Sequence, residues 1–152
     1  MIKRKTVIKI IYFIYLILLI SFIFSNSLTP KSESASQSGR ALGIVNSILE
    51  AFHIPKLQSD FLIRKAGHFI EFFILGASLF GYSIIEKSIT ANNAVYTTFT
   101  ACLVAMGDET IQYFSGRGSM LLDVWLDLFS SATAIWLIYC FYKLRHKKSS
   151  SK

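Results

Sequence analysis

Hydrophobic residues in this chain come in long blocks separated by polar breaks. The blocks run from about Val7 to Phe24, Phe61 to Ile85, Ala94 to Phe114 and Met120 to Tyr142. Within them the apolar positions neither alternate nor form one narrow stripe, so the pattern predicts helices surrounded by lipid and by one another. The first block, about 18 residues at 1.5 Å rise, reaches roughly 27 Å, enough to span if Lys9 snorkels to the headgroups. A cleaved signal peptide is the rival reading of that block. Its apolar core is long for one, and no A-x-A site follows Ser25, so an uncleaved span is expected.

The breaks differ in kind. Residues 25–60 form the only extended polar stretch, opening at Pro30 and a serine-rich run from Ser32 to Ser38 that reads as a flexible loop. Beyond Gly39, Ala41, Val45, Ile48 and Phe52 recur at helical spacing, with Leu42 and Leu49 beside them. Arg40, Asn46, Ser47 and Glu50 fall mostly elsewhere around the helix, so this segment reads as amphipathic, lying in the membrane interface until Pro55 ends it. Glu86 to Asn93 is a short turn. Ser115-Gly116-Arg117-Gly118 is a tight connection that makes the third and fourth spans neighbours. No internal repeat is evident. The expected fold is one all-α domain over residues 1–152: a four-transmembrane-helix bundle with an interfacial helix in its first outer loop.

Composition strengthens this picture. The chain is 53% hydrophobic and only 16% charged, too apolar for a soluble domain of 152 residues to bury. A net charge of +7 would suit nucleic acid, but its distribution argues otherwise. Lys3, Arg4, Lys5 and Lys9 flank the first block, and Lys143, Arg145, Lys147, Lys148 and Lys152 follow the last, as cytoplasmic flanks of membrane spans do. With both termini cytoplasmic, ten basic residues including Lys87 lie inside and six outside: Lys31, Arg40, Lys56, Arg64, Lys65 and Arg117. Tyr139 and Tyr142 beside Lys143 resemble an interfacial anchor. A multi-pass protein of the cell membrane is expected, with membrane lipids as partners and no nucleic acid. Cys102 and Cys140 lack any metal or CxxC spacing and read as two buried thiols.

The informative residues are the ionisable ones inside the blocks. Glu71, Asp108, Glu109, Asp123 and Asp127 lie in or at the ends of spans, together with His68, Lys65 and Arg64. Such groups are costly in a bilayer and usually face a bundle interior or a wet cavity. Arg64, His68 and Glu71 stand at i, i+4 and i+7, while Asp108 and Gln112, and Asp123 and Asp127, are i, i+4 pairs. The second span starts outside, the third ends outside and the fourth starts outside, so all three polar stretches fall at one outer level. His68, Glu71, Asp108, Glu109 and Asp123 are the candidates for catalysis or proton handling. Arg64, Lys65, Gln112, Arg117 and Asp127 are the candidates for binding. Interhelical neutralisation, for example Lys65 with Glu71 or Arg117 with Asp123, is the blander account of the same charges. Several carboxylates with one histidine suit general acid/base work or a hard cation better than zinc; no residue is assigned as a metal ligand and no cofactor is identified. No GxSxG, Walker or HExxH motif is present.

At these same positions the chain resembles the VanZ-like family, membrane proteins named for a teicoplanin-resistance determinant. The matching stretches are Arg64-Lys65-Ala66-Gly67-His68-Phe69-Ile70-Glu71-Phe72-Phe73-Ile74-Leu75-Gly76, then Asp108-Glu109-Thr110-Ile111-Gln112-Tyr113-Phe114, then Gly116-Arg117 and Asp123. Phe24-Ser25-Asn26 also fits the family's habit of ending the first span in Phe-Ser. Four positions depart from the pattern: Asp127 replaces a usual Asn, Ser130 and Ala134 replace small glycines, and Ser27 stands where Gln is common. These imply a more acidic pocket and looser packing along the last span. The resemblance implies an integral membrane protein of bacterial type, from a family linked in its named member to reduced teicoplanin susceptibility, without naming a reaction.

Three functions are consistent with these residues. The first is an outward pocket that recognises an anionic lipid-linked cell-wall intermediate or a lipoglycopeptide. The second is a membrane-embedded hydrolase or transferase acting on lipid phosphates. The third is a non-catalytic structural or regulatory subunit. Transport is disfavoured because the cytoplasmic halves of these spans offer no matching polar path.

Overall fold

In the computed structural model, which describes residues 4–117 and 120–149, the chain is all-helical. Lys3, Gly118 and Lys152 lie outside the described residues, as do the side chains of Lys147 and Lys148. Five helices follow in order: α1 (Arg4–Leu28), α2 (Lys31–Ala51), α3 (Phe61–Ile85), α4 (Ala91–Phe114) and α5 (Leu121–Ser149). Three of them, α1, α3 and α5 as far as His146, are long and apolar enough to cross a membrane. α4 has comparable length but carries Asn92, Asn93, Asp108, Glu109 and Gln112, which lower its hydropathy.

The largest revision concerns the serine-rich stretch. It is not a loop: α2 begins at Lys31, directly after Pro30, whose φ of −57° and ψ of 147° set the turn into the helix. Glu33 in the first turn complements the positive end of the helix dipole. Serines lose helical propensity mainly by competing for backbone groups, and here Ser38 uses that ability, donating to the Ala35 carbonyl and to the Asp60 carboxylate at the head of α3. The amphipathic stripe divides between two surroundings. Ala41, Val45 and Leu49 are half-buried towards α3, whereas Ile44, Ile48 and Phe52 are exposed. Asn46 then pins the linker to α2 by bonding both the carbonyl and the amide of Leu57, at 3.1 and 2.8 Å.

α5 packs most extensively on α3 and next on α4, with α1 laid across α3 and α4. The α3–α5 crossing is very close. A Cβ added to Gly76 would collide with the Ser131 backbone, so only glycine fits there. Ser131 donates to the Phe72 carbonyl at 2.8 Å and Ser130 to the Phe69 carbonyl. Ser130, Ser131 and Ala134 are all buried, so packing along the last span is tight rather than loose. On α4 one stripe of small residues, Ala94, Ala101 and Ala105, is fully buried and continues at helical spacing into Asp108 and Gln112. A core of Ile23, Phe72, Leu75 and Ala105 lies beside the polar level, and a second of Phe80, Ala94 and Ile135 lies towards the other end. Both cysteines are free, but Cys102 is half-buried and Cys140 exposed, so neither is the buried thiol expected.

Candidate functional site

Antiparallel packing brings four helix segments to one end of the bundle: the end of α1, the first half of α3, the end of α4 and the first half of α5. The chain turns between α4 and α5 at Gly116, whose φ of 71° is a left-handed conformation, and Arg117 N–H closes α4 by donating to the Gln112 carbonyl at 3.1 Å.

At the centre, His68 of α3, Asp108 and Glu109 of α4 and Asp127 of α5 each present one donor atom, and the four atoms lie within 4.8 Å of one another. Asp108 and Asp127 are 0% exposed and Glu109 4%. Asp108 is held from two sides, accepting from Ser27 Oγ at 2.5 Å and from Gln112 Nε2 at 2.8 Å. Glu109 accepts one bond through Oε2, from Met120 N–H at 3.1 Å, across the α4–α5 turn. Glu109 Oε1, both oxygens of Asp127 and His68 Nδ1 are buried without a hydrogen-bond partner. His68 Nδ1 and Asp127 Oδ1 stand 3.6 Å apart. Buried polar atoms in folded proteins are nearly always bonded, so this group of orphans at one point is unusual.

Around this centre the other candidates are committed elsewhere. Lys65 pairs with Asp123, not with Glu71. Glu71 accepts from Asn26 Nδ2 at 2.7 Å. Arg117 does not reach Asp123; it donates to the Asn26 carbonyl at 2.5 Å and to Ser34 Oγ at 2.9 Å, tying the α4–α5 turn to α1 and α2. Arg64 sits 3.7 Å from Asp60, at the start of its own helix. Asp60 lies outside the spans, and the Ser38 hydroxyl, with Arg64 behind it, holds its carboxyl below the usual range.

Three cavities border the cluster. One of about 400 Å³ opens between α1, α2 and α3, with Asn26, Arg64, His68, Glu71 and Arg117 in its wall. A smaller one of about 180 Å³ is lined by Lys65, Arg64, Arg117, His68, Gln112 and Asp123. The third, about 710 Å³, is an apolar groove between α4 and α5, with Glu109 in its wall among Met106, Tyr113, Met120, Trp125 and Leu128.

Ten candidates from the sequence thus fall at one end of the bundle, but in two groups: four at the centre, and six around it in pairs and cavity walls. The contribution of α1 was missed. Asn26 and Ser27 end an apolar run, where polar residues read as the limit of a span; nothing in their spacing announces that they bond Glu71 and Asp108. A family model described as VanZ/LLP1 matches residues 12–142. The chain belongs to the VanZ/LLP1 family. That match runs from within α1 to within α5 and so contains the whole cluster of this VanZ-like membrane protein. No curated protein and no solved structure matches the chain.

Proposed function

We propose that this VanZ-like protein is a multi-pass protein of the bacterial cell membrane that binds an anionic lipid-linked cell-wall intermediate, or a lipoglycopeptide, at the outer leaflet. In this reading α1, α3, α4 and α5 are the four spans, both termini are cytoplasmic and α2 lies in the outer interface. α4 is 24 residues long, about 36 Å at the helical rise, and turns the polar residues of its last two turns, Asp108, Glu109 and Gln112, inward. Asp108, Glu109 and Gln112 are buried, while Phe99, Leu103, Met106 and Tyr113 are exposed. The exposed Ile44, Ile48 and Phe52 of α2 suit acyl chains at the interface.

The observation that carries the ligand class is the meeting of unlike cavities. Polar walls containing Arg64, Lys65 and Arg117 adjoin the cluster from one side, and an apolar groove of about 710 Å³ adjoins it from the other. A phosphorylated headgroup and its prenyl or acyl tail need that combination. Lys65 uses one donor on Asp123 and Arg117 two on α1 and α2, leaving donors on both for an anion.

Binding of a polyprenyl phosphate to the purified full chain in nanodiscs tests the assignment. Lys65→Ala and Arg117→Ala are each expected to weaken it about tenfold, the scale of one charge-assisted hydrogen bond. Equal affinity in folded variants would overturn it. In cells, His68→Ala and Asp123→Asn are expected to shift teicoplanin susceptibility to that of a strain lacking the protein.

A second reading, hydrolysis or transfer at a lipid phosphate, rests on the unbonded oxygens of Glu109 and Asp127 beside these cavities. Turnover of the same lipid that disappears in Glu109→Gln would support it.

A further inference from the structure

We propose that His68, Asp108, Glu109 and Asp127 form a binding site for one divalent metal ion, buried where α3, α4 and α5 meet. The sequence alone assigned no metal ligand, since these residues follow no ligand-spacing motif: they are separated by 40 positions, by one, and by 18. Folding brings one donor atom from each within 4.8 Å of the others.

The acidic grouping is not the whole argument. Asp127 is 0% exposed, yet neither of its oxygens has a hydrogen-bond partner, and Oδ1 stands 3.6 Å from His68 Nδ1, itself buried and unbonded. Glu109 Oε1 is the fourth unbonded atom. A separation of 3.6 Å is long for a hydrogen bond but natural for two donors on one ion. With bonds of about 2.1 Å, adjacent octahedral donors lie about 3 Å apart and opposite ones about 4.2 Å apart. Four atoms within 4.8 Å of one another can all reach a small divalent ion by inward shifts of less than about 1 Å.

Outer contacts are those a metal site uses. Ser27 and Gln112 hold Asp108, and the Met120 amide holds Oε2 of Glu109, leaving the buried Oε1 without a bond. Lys65 does not compete as the balancing cation, because it is paired with Asp123. Three carboxylates and one imidazole nitrogen match Mn²⁺, a hard cation that also accepts nitrogen, better than Ca²⁺, which takes oxygen ligands only. The rival account is a metal-free network in which the imidazole and shared protons balance the carboxylates. This inference stands independently of the anion-binding reading: either can fail while the other survives.

Mn²⁺ binding to purified full chain in detergent separates the two accounts, followed by loss of the free-ion EPR signal and by metal content after dialysis. One ion per chain is expected, displaced by Zn²⁺ and not by equimolar Ca²⁺. Asp127→Asn and Glu109→Gln should each weaken Mn²⁺ affinity at least tenfold, while Glu86→Gln at the opposite end leaves it unchanged. Mn²⁺ should also raise the thermal midpoint of wild type and not of Asp127→Asn, a comparison each protein makes against its own metal-free state. Absence of stoichiometric Mn²⁺ or Zn²⁺ in folded wild type would overturn the site. So would binding that both substitutions leave intact.

Discussion

The two ends of the bundle treat charge in opposite ways. At one end Lys9 and Glu86 join α1 to α3 at 2.5 Å, with side chains 38% and 31% exposed, and Tyr12 donates to the Ser78 carbonyl at 2.7 Å. Both contacts are made within the chain, and the ion pair lies near the surface, where such pairs are cheap to make and contribute little. At the other end Glu109 and Asp127 are buried and hold three oxygens without a bond. Charge that serves only to join helices is satisfied by a neighbour, as at Lys9. Charge kept buried and unsatisfied opposes folding, so its presence points to chemistry with something outside the chain.

The sharpest way to break this comparison is to make the cluster apolar. Glu109→Leu with Asp127→Leu is expected to stabilise the bundle by about 1–4 kcal/mol while abolishing ligand or metal binding. Thermal unfolding in detergent reads the first effect and nanodisc binding the second. Lys9→Ala should leave both unchanged. If the double variant is instead destabilised and binding persists, the cluster is interhelical glue and the structural-subunit reading gains.

A smaller loss is expected at the α3–α5 crossing. Gly76→Ala forces a methyl group into the Ser131 backbone and should cost about 1–3 kcal/mol. Gly67→Ala, nine residues earlier on the same helix, meets no atom within 4 Å and should be neutral in the same thermal assay. Equal effects would mean that helix propensity, not contact, governs both sites.

The smallest effect should come from the α2–α3 tether. Because the Asp60 carboxyl is held below its ordinary 3.8, its contribution is present above that value and fades as pH falls through the lower folded one. Limited proteolysis of the 52–60 linker should therefore be slow at neutral pH and quicken in acid. Ser38→Ala should show the quicker rate already at neutral pH, with the centre of the site undisturbed.

Much of the fold was legible because apolar block length is set by local physics. α3 matches its expected block, residues 61–85, and α4 starts only three residues early, where Thr90 Oγ1 caps Asn93 N–H at 3.1 Å. The polar faces were equally legible, since helical spacing alone aligns His68 with Arg64 and Glu71, and Asp127 with Asp123. The helical course of Ser32 to Ser38 was not, because composition favours a loop until Ser38 finds Asp60 far along the chain.

What the sequence determined by itself is the set of apolar helices and the face on which each polar residue stands, both consequences of short-range periodicity. The tertiary structure alone decided which charges meet. Alignment of four helix ends gave Lys65 to Asp123 and Glu71 to Asn26, and brought Ser27 onto Asp108. It left His68, Glu109 and Asp127 facing one another with atoms unbonded. Rotation and depth of one helix against another depend on contacts such as Gly76 against Ser131, between residues 55 positions apart, which no local pattern encodes.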